Sequence, residues 1–121
     1  MTRERFWTVY IGGCEWRLTE TGNKTWIKKY LQRKDSAGLT INGRCFREHK
    51  CIFMRKGLHQ QDRYETIFHE LLHAVCAENL QNKTLAALWD DEEATHIITK
   101  GMCSLLRQTR DFGVTKGKGK R

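Results

Sequence analysis

The period of the apolar positions changes along the chain, and that change predicts its elements. Phe6-Trp7-Thr8-Val9-Tyr10-Ile11 is aromatic and β-branched and stops at Gly12-Gly13, which predicts a strand. Glu15-Trp16-Arg17-Leu18-Thr19 alternates in polarity, as a half-buried strand does, and is expected to pair back across Gly12-Gly13 as a hairpin. From Thr25 to Lys34, the positions of Trp26, Ile27, Tyr30 and Leu31 fit a helix; a continuing strand fits them too. Asp35-Ser36-Ala37-Gly38 reads as a turn. Leu39-Thr40-Ile41 and Cys51-Ile52-Phe53-Met54 are expected to be paired strands, punctuated by Asn42-Gly43 and by Arg47-Glu48-His49-Lys50.

Helical spacing then takes over. Tyr64, Ile67, Phe68, Leu71, Leu72 and Val75 recur at intervals of three and four, predicting a helix from Gln61 to Asn79. Asp62 or a neighbour is expected to cap it, and Asn79 to Lys83 to stop it. A last helix is predicted from Asp91 to Arg110, with Ala94, Ile97, Ile98, Gly101, Met102 and Leu105 along the side expected to be buried. Asp90, Asp91, Glu92 and Glu93 put negative charge at its start, where the helix dipole favours it. The order of elements predicts an α+β fold, with a short antiparallel or mixed sheet packed on the helix around residue 70 and on a second, C-terminal helix.

Composition narrows the class. A chain of 121 residues suits one domain, here read as residues 1–114, and four tryptophans argue for a packed core. No stretch approaches the roughly 18 apolar residues of a membrane span. Met1 to Trp7 lack the apolar region of a secretory signal, so a cytoplasmic protein is expected. The five cysteines form no Cys-x-x-Cys pair and are expected to be reduced thiols. Cys76 and Cys103 stand in apolar helical surroundings and are read as core. Cys45 and Cys51 flank a turn and can approach each other, but they lack the paired spacing of a structural metal site. Of the net charge of +8, Lys116, Lys118, Lys120 and Arg121 contribute a basic tail. The favoured reading of residues 115–121 is a disordered, solubilising tail; attraction to nucleic acid is the second reading, since no recognition motif accompanies the charge.

One segment carries chemistry. In His69-Glu70-Leu71-Leu72-His73 the two histidines are four apart, so a helix stacks both imidazoles on one face. One helix can then offer two nitrogens to one zinc ion. Glu70 is turned by about 100° from His69 and can reach water at the ion without being a ligand. The two histidines lie beside the apolar stripe rather than within it, so the helix can bury one side and turn the imidazoles to a cleft. The plainer alternative is an amphipathic helix with surface histidines. A catalytic zinc site also needs a third protein ligand and an open position. Asp90, Asp91, Glu92, Glu93 and His96 are the candidates; ordinary capping charge is the competing reading of the acidic four. His96 is one turn past Glu92 and can be a ligand, a partner to one, or a donor to a developing oxyanion; an ordinary surface histidine is the alternative. His49 and His59 fall in loops and are given no role.

The run Thr66-Ile-Phe-His69-Glu70-Leu-Leu-His73-Ala74-Val75, followed by Glu92-x-Ala94-Thr95-x-x-Ile98-x-x-Gly101-Met102, resembles the small phage-encoded zincin-like metallopeptidases of gluzincin type. The resemblance spans residues 39–110 and includes the strand Ile52-Phe53-Met54 before the active-site helix. It implies a minimal zincin-like fold, zinc as cofactor, and His69, His73 and Glu92 as ligands with Glu70 as general base. Family spacing favours Glu92 over Glu93, whereas the phase of Ala94, Ile98 and Leu105 sets Glu93 nearer the buried side. Asn79 and Leu80 stand where other zincins carry a third histidine, which disfavours those subfamilies.

The resulting expectation is a zinc metallopeptidase or amidase acting on a peptide or protein substrate laid along an edge formed by Cys51 to Met54, in the host cytoplasm if the resemblance extends to a phage origin. A zincin-fold binding module with a structural metal is the alternative, and a nucleic-acid-associated protein a third.

Overall fold

The structure, a computed structural model, describes residues 4–32 and 40–109. The chain runs β1 (Arg5–Ile11), β2 (Cys14–Thr21), α1 (Lys24–Tyr30), β3 (Gly43–Phe46), β4 (Cys51–Arg55), α2 (Gln60–Ala77), α3 (Lys83–Trp89) and α4 (Glu92–Thr109). The fold is α+β: among the described residues, a mixed four-stranded sheet in the order β1-β2-β4-β3, and four helices.

The predicted hairpin is present. Ile11 pairs with Cys14, and the two residues between them, Gly12 and Gly13, have φ of 57° and 83°. A two-residue turn of that handedness matches the twist of antiparallel strands, and glycine enters it without a steric cost. β2 then pairs in parallel with β4, with Leu18 opposite Ile52, and β4 pairs antiparallel with β3.

Alternation in the strands separates two faces. On the inner face Trp16, Leu18 and Ile52 meet Ala74 of α2, with Trp7, Val9, Ile11, Cys45, Ile67 and Leu71 packed around them. Each fully buried Leu or Ile side chain contributes about 1.5–3 kcal/mol there. Glu20, 3% exposed, ties α2 to the same face by accepting from Arg63 Nε at 2.9 Å. On the outer face, α1 lays Trp26 and Tyr30 on Phe53, the Tyr30 ring stacked at 4.4 Å. The side chain of Asn23 caps α1 by accepting from the amides of Thr25 and Trp26, which decides between the two readings of this segment in favour of helix.

Five expectations are corrected. The strand paired with β4 is Gly43–Phe46, not Leu39 to Ile41; Thr40 makes only an isolated bridge to Gln32, and Leu39 lies outside the described residues. β4 is an interior strand flanked by β2 and β3, so Cys51 to Met54 offers no edge; on this side the edge is β3. Cys45 pairs with Ile52 while Cys51 pairs with Phe46, which puts the two thiols on opposite faces, and all five cysteines are free. α2 starts at a cap residue, His59, without a side-chain cap bond, and Asp62 lies in its first turn. Finally, α4 buries Thr95, Thr99 and Cys103 and leaves Ile97, Ile98, Met102 and Leu105 exposed. The apolar stripe was legible, but the flank that faces α2 carries the small and hydroxylated residues, which allow close approach of two helices.

α3 is an additional helix, in a stretch that the sequence reading left unassigned beyond the stop of α2 at 79–83. Asn82 caps it by accepting from the amide of Leu85. The expected turn at 35–38 and the basic tail lie outside the described residues. No helix among the described residues is long and apolar enough to cross a membrane.

Candidate metal centre

Residues His69, Glu70 and His73 all project from α2 between the sheet and α4. The one-turn spacing brings the imidazoles of His69 and His73 to 4.8 Å between ring centroids. α3 returns the chain so that α4 begins against them. Its first residue, Glu92, spans both rings: Oε1 lies 2.8 Å from His69 Nε2 and Oε2 lies 2.9 Å from His73 Nε2. A carboxylate only accepts, so each imidazole donates. Ligand atoms of His69, His73 and Glu92 fall within 4.8 Å of one another.

The acidic cluster before α4 divides its work. Asp91 Oδ1 accepts from the amide of Ala94 at 2.9 Å and caps the helix. Asp90 is the residue that closes α3, and Glu93 is exposed. Glu92 alone of the four meets the histidines. Capping is thus the role of Asp91, and the residue next to it is the one directed at the imidazoles.

Glu70 is 7% exposed and faces the sheet side of the centre. Burial, reinforced by the nearby charge of Glu92, pushes its carboxyl up to about 8; Arg44 pulls the other way. Burial likewise lowers the pKa of His73, which favours the neutral, metal-ligating imidazole. Two residues that sequence reasoning missed complete the surroundings. Trp89, at the end of α3, meets the His73 ring edge-on at 5.4 Å and carries Arg47 on its own ring. Gly43, at the start of β3, lets the strand approach Thr66 and Glu70 closely. Nothing local marks either one: Trp89 sits on an unforeseen helix, and Gly43 read as a turn residue.

A cavity of about 640 Å³ opens beside the centre, lined by His69, Glu70, Glu92 and His96 together with Asn42, Gly43 and Thr99. His96 is exposed, its ring 6.5 Å from that of His69, and its ligand atoms lie outside the group of three. His59 caps α2 and His49 sits in the β3–β4 turn, both away from the centre.

Two imidazole nitrogens and a carboxylate oxygen are a donor set suited to a borderline cation such as zinc. Comparison of the chain with protein-family models, with curated proteins and with solved structures finds no match.

Proposed function

We propose that the chain is a zinc-dependent hydrolase of zincin type that cleaves a peptide or amide bond. One observation carries this reading: His69, His73 and Glu92 converge within 4.8 Å beside the buried carboxyl of Glu70, at the wall of an open cavity. The three residues would hold the metal, with both Nε2 protons moved off when it binds. Zinc held there would supply Lewis acidity, for activating water near neutral pH and polarising a carbonyl.

The remaining work falls to the chain. With a dication held by the three ligands, Glu70 would be ionised again, since a positive charge reverses the effect of burial. It then accepts a proton from the attacking water and hands it to the departing nitrogen. His96, on the cavity wall one turn beyond Glu92, can donate to the carbonyl oxygen as that atom gains charge. The edge strand β3 borders the same cavity through Gly43, so an extended peptide pairing with β3 would pass the centre.

The alternative is a binding module whose metal only holds the fold. A closed four-ligand site is its signature. The open cavity against His69 and Glu92 favours the hydrolase. Titration with zinc and cleavage of a mixed peptide library test the reading together. Glu70→Gln is expected to bind zinc as the parent does and to lose about 10²- to 10⁴-fold in turnover. Undiminished turnover would remove Glu70 as the base. Zinc binding that survives His69→Ala would remove the site itself.

A further inference from the structure

Charge is divided unevenly between the two layers of the molecule. Among the described residues, 4–32 and 40–59, which carry the sheet and α1, hold 10 Lys and Arg against 4 Asp and Glu; residues 60–109, which carry α2 to α4, hold 4 against 8. The metal centre lies on the acidic layer. The basic layer carries a groove of its own, on the outer face of the sheet and away from α2. It has a volume of about 450 Å³ and is lined by Phe6, Trp26 and Phe53 with Arg17, His49 and Lys50.

Strand register explains how this groove is built. Phe6 is opposite Thr19, and Thr19 is opposite Phe53, so the two phenylalanines share the outer face across three strands. α1 covers only one end of that face, through Trp26 and Tyr30 on Phe53. Phe6 is left 53% exposed with the Arg17 guanidinium 5.5 Å over its ring. Exposed Lys24, Lys28 and Lys29 of α1 add cations at the covered end, and α1 has no acidic residue in its first turn. Glu15 is the one carboxylate among the lining residues, and Lys50 already meets Glu78.

We propose that this groove binds single-stranded nucleic acid. Phe6, open on the sheet face two strands from the Tyr30–Phe53 stack, gives an unpaired base a ring to stack on, and a cationic rim draws the phosphates. A duplex hides its base faces and cannot use the rings, so the strand must be unpaired. This site is independent of the metal centre and does not rest on the hydrolase reading.

The test is fluorescence anisotropy with labelled dT and rU 12-mers and a 12-base-pair duplex, using the full chain at 50 and 200 mM salt. Both single strands are expected to bind more tightly than the duplex. Phe6→Ala is expected to weaken them about 5- to 100-fold and leave the salt dependence unchanged. Arg17→Gln is expected to reduce the slope of log affinity against log salt by about 0.7, one phosphate contact. A chain with Lys116, Lys118 and Lys120 changed to Ala separates the tail from the groove. Retained preference for single strands in that variant supports the proposal. Equal affinity for duplex, no binding at 50 mM salt, or binding lost with the tail lysines and untouched by Phe6→Ala and Arg17→Gln overturns it. Phe6→Leu, which keeps bulk but not a stacking ring, guards against a folding defect and should weaken binding as Phe6→Ala does.

Discussion

Gly43 stands so close to Glu70 that a β-carbon built on it would lie 3.2 Å from Glu70 Cγ, and 2.7 Å from the Thr66 methyl. The edge strand β3 and helix α2 therefore approach each other at a point where no side chain fits between them. Gly43→Ala is expected to push β3 and α2 apart and to destabilise the fold by about 1–3 kcal/mol, the usual cost of overpacking. Urea denaturation measures it. A variant as stable as the parent would mean that the contact relaxes freely.

Glu92 and Glu93 are adjacent, and only Glu92 reaches the histidines. Removing a residue that only hydrogen-bonds to a metal ligand already costs about 10- to 100-fold in metal affinity, and removing a ligand should cost more. Glu92→Ala is expected to lose more than about 100-fold in zinc affinity, while Glu93→Ala stays near the parent. Competition with a chromogenic chelator reads both. Equal losses would move the third ligand elsewhere.

Glu78, just past α2, accepts from the Trp16 indole at 2.7 Å and from Lys50. The Lys50 bond first, then the Trp16 bond, hold its carboxyl below the ordinary range. A depressed pKa means that the unfolded chain takes up the proton more readily. Its contribution is therefore present above the unfolded value of about 4.5 and is lost as pH falls through the folded one. Glu78→Gln should lower the melting temperature at pH 7 and flatten the decline between about pH 5 and pH 3. Thermal melts at several pH values read both effects. An unchanged acid limb would show that other carboxylates set it.

The two flanks of α4 should respond oppositely to substitution. Ile97 is 63% exposed, whereas Cys103 is 5% exposed. Ile97→Gln is expected to change stability by no more than about 0.5 kcal/mol, as exposed sites do. Cys103→Asp puts an unpaired charge against α2 and should destabilise by several times that. The reverse order in a denaturation experiment would mean that α4 is turned the other way.

The relation of His69, Glu70 and His73 was set by sequence alone. Helix geometry fixes which residues stack at a spacing of four, whatever the helix packs against. The β1–β2 hairpin was legible for the same reason: Gly12-Gly13 and the flanking alternation are local signals, and local sterics enforce them. Residues 60–77 read as a helix to within a residue or two because their apolar period is long and regular.

What the tertiary structure decided involves choices between neighbours. Strand order is not encoded in any one strand, so β3 rather than β4 became the edge. α4 offers an apolar stripe and a stripe of Thr95, Thr99 and Cys103, and only the shape of α2 opposite selects the second. α3 reorients the chain ahead of Glu92, and that return, not the local pattern of four consecutive acids, sends one carboxylate to the imidazoles and leaves Asp91 to cap. Local periodicity specifies faces; which face meets which depends on contacts between segments far apart in the chain, and those exist only once the chain has folded.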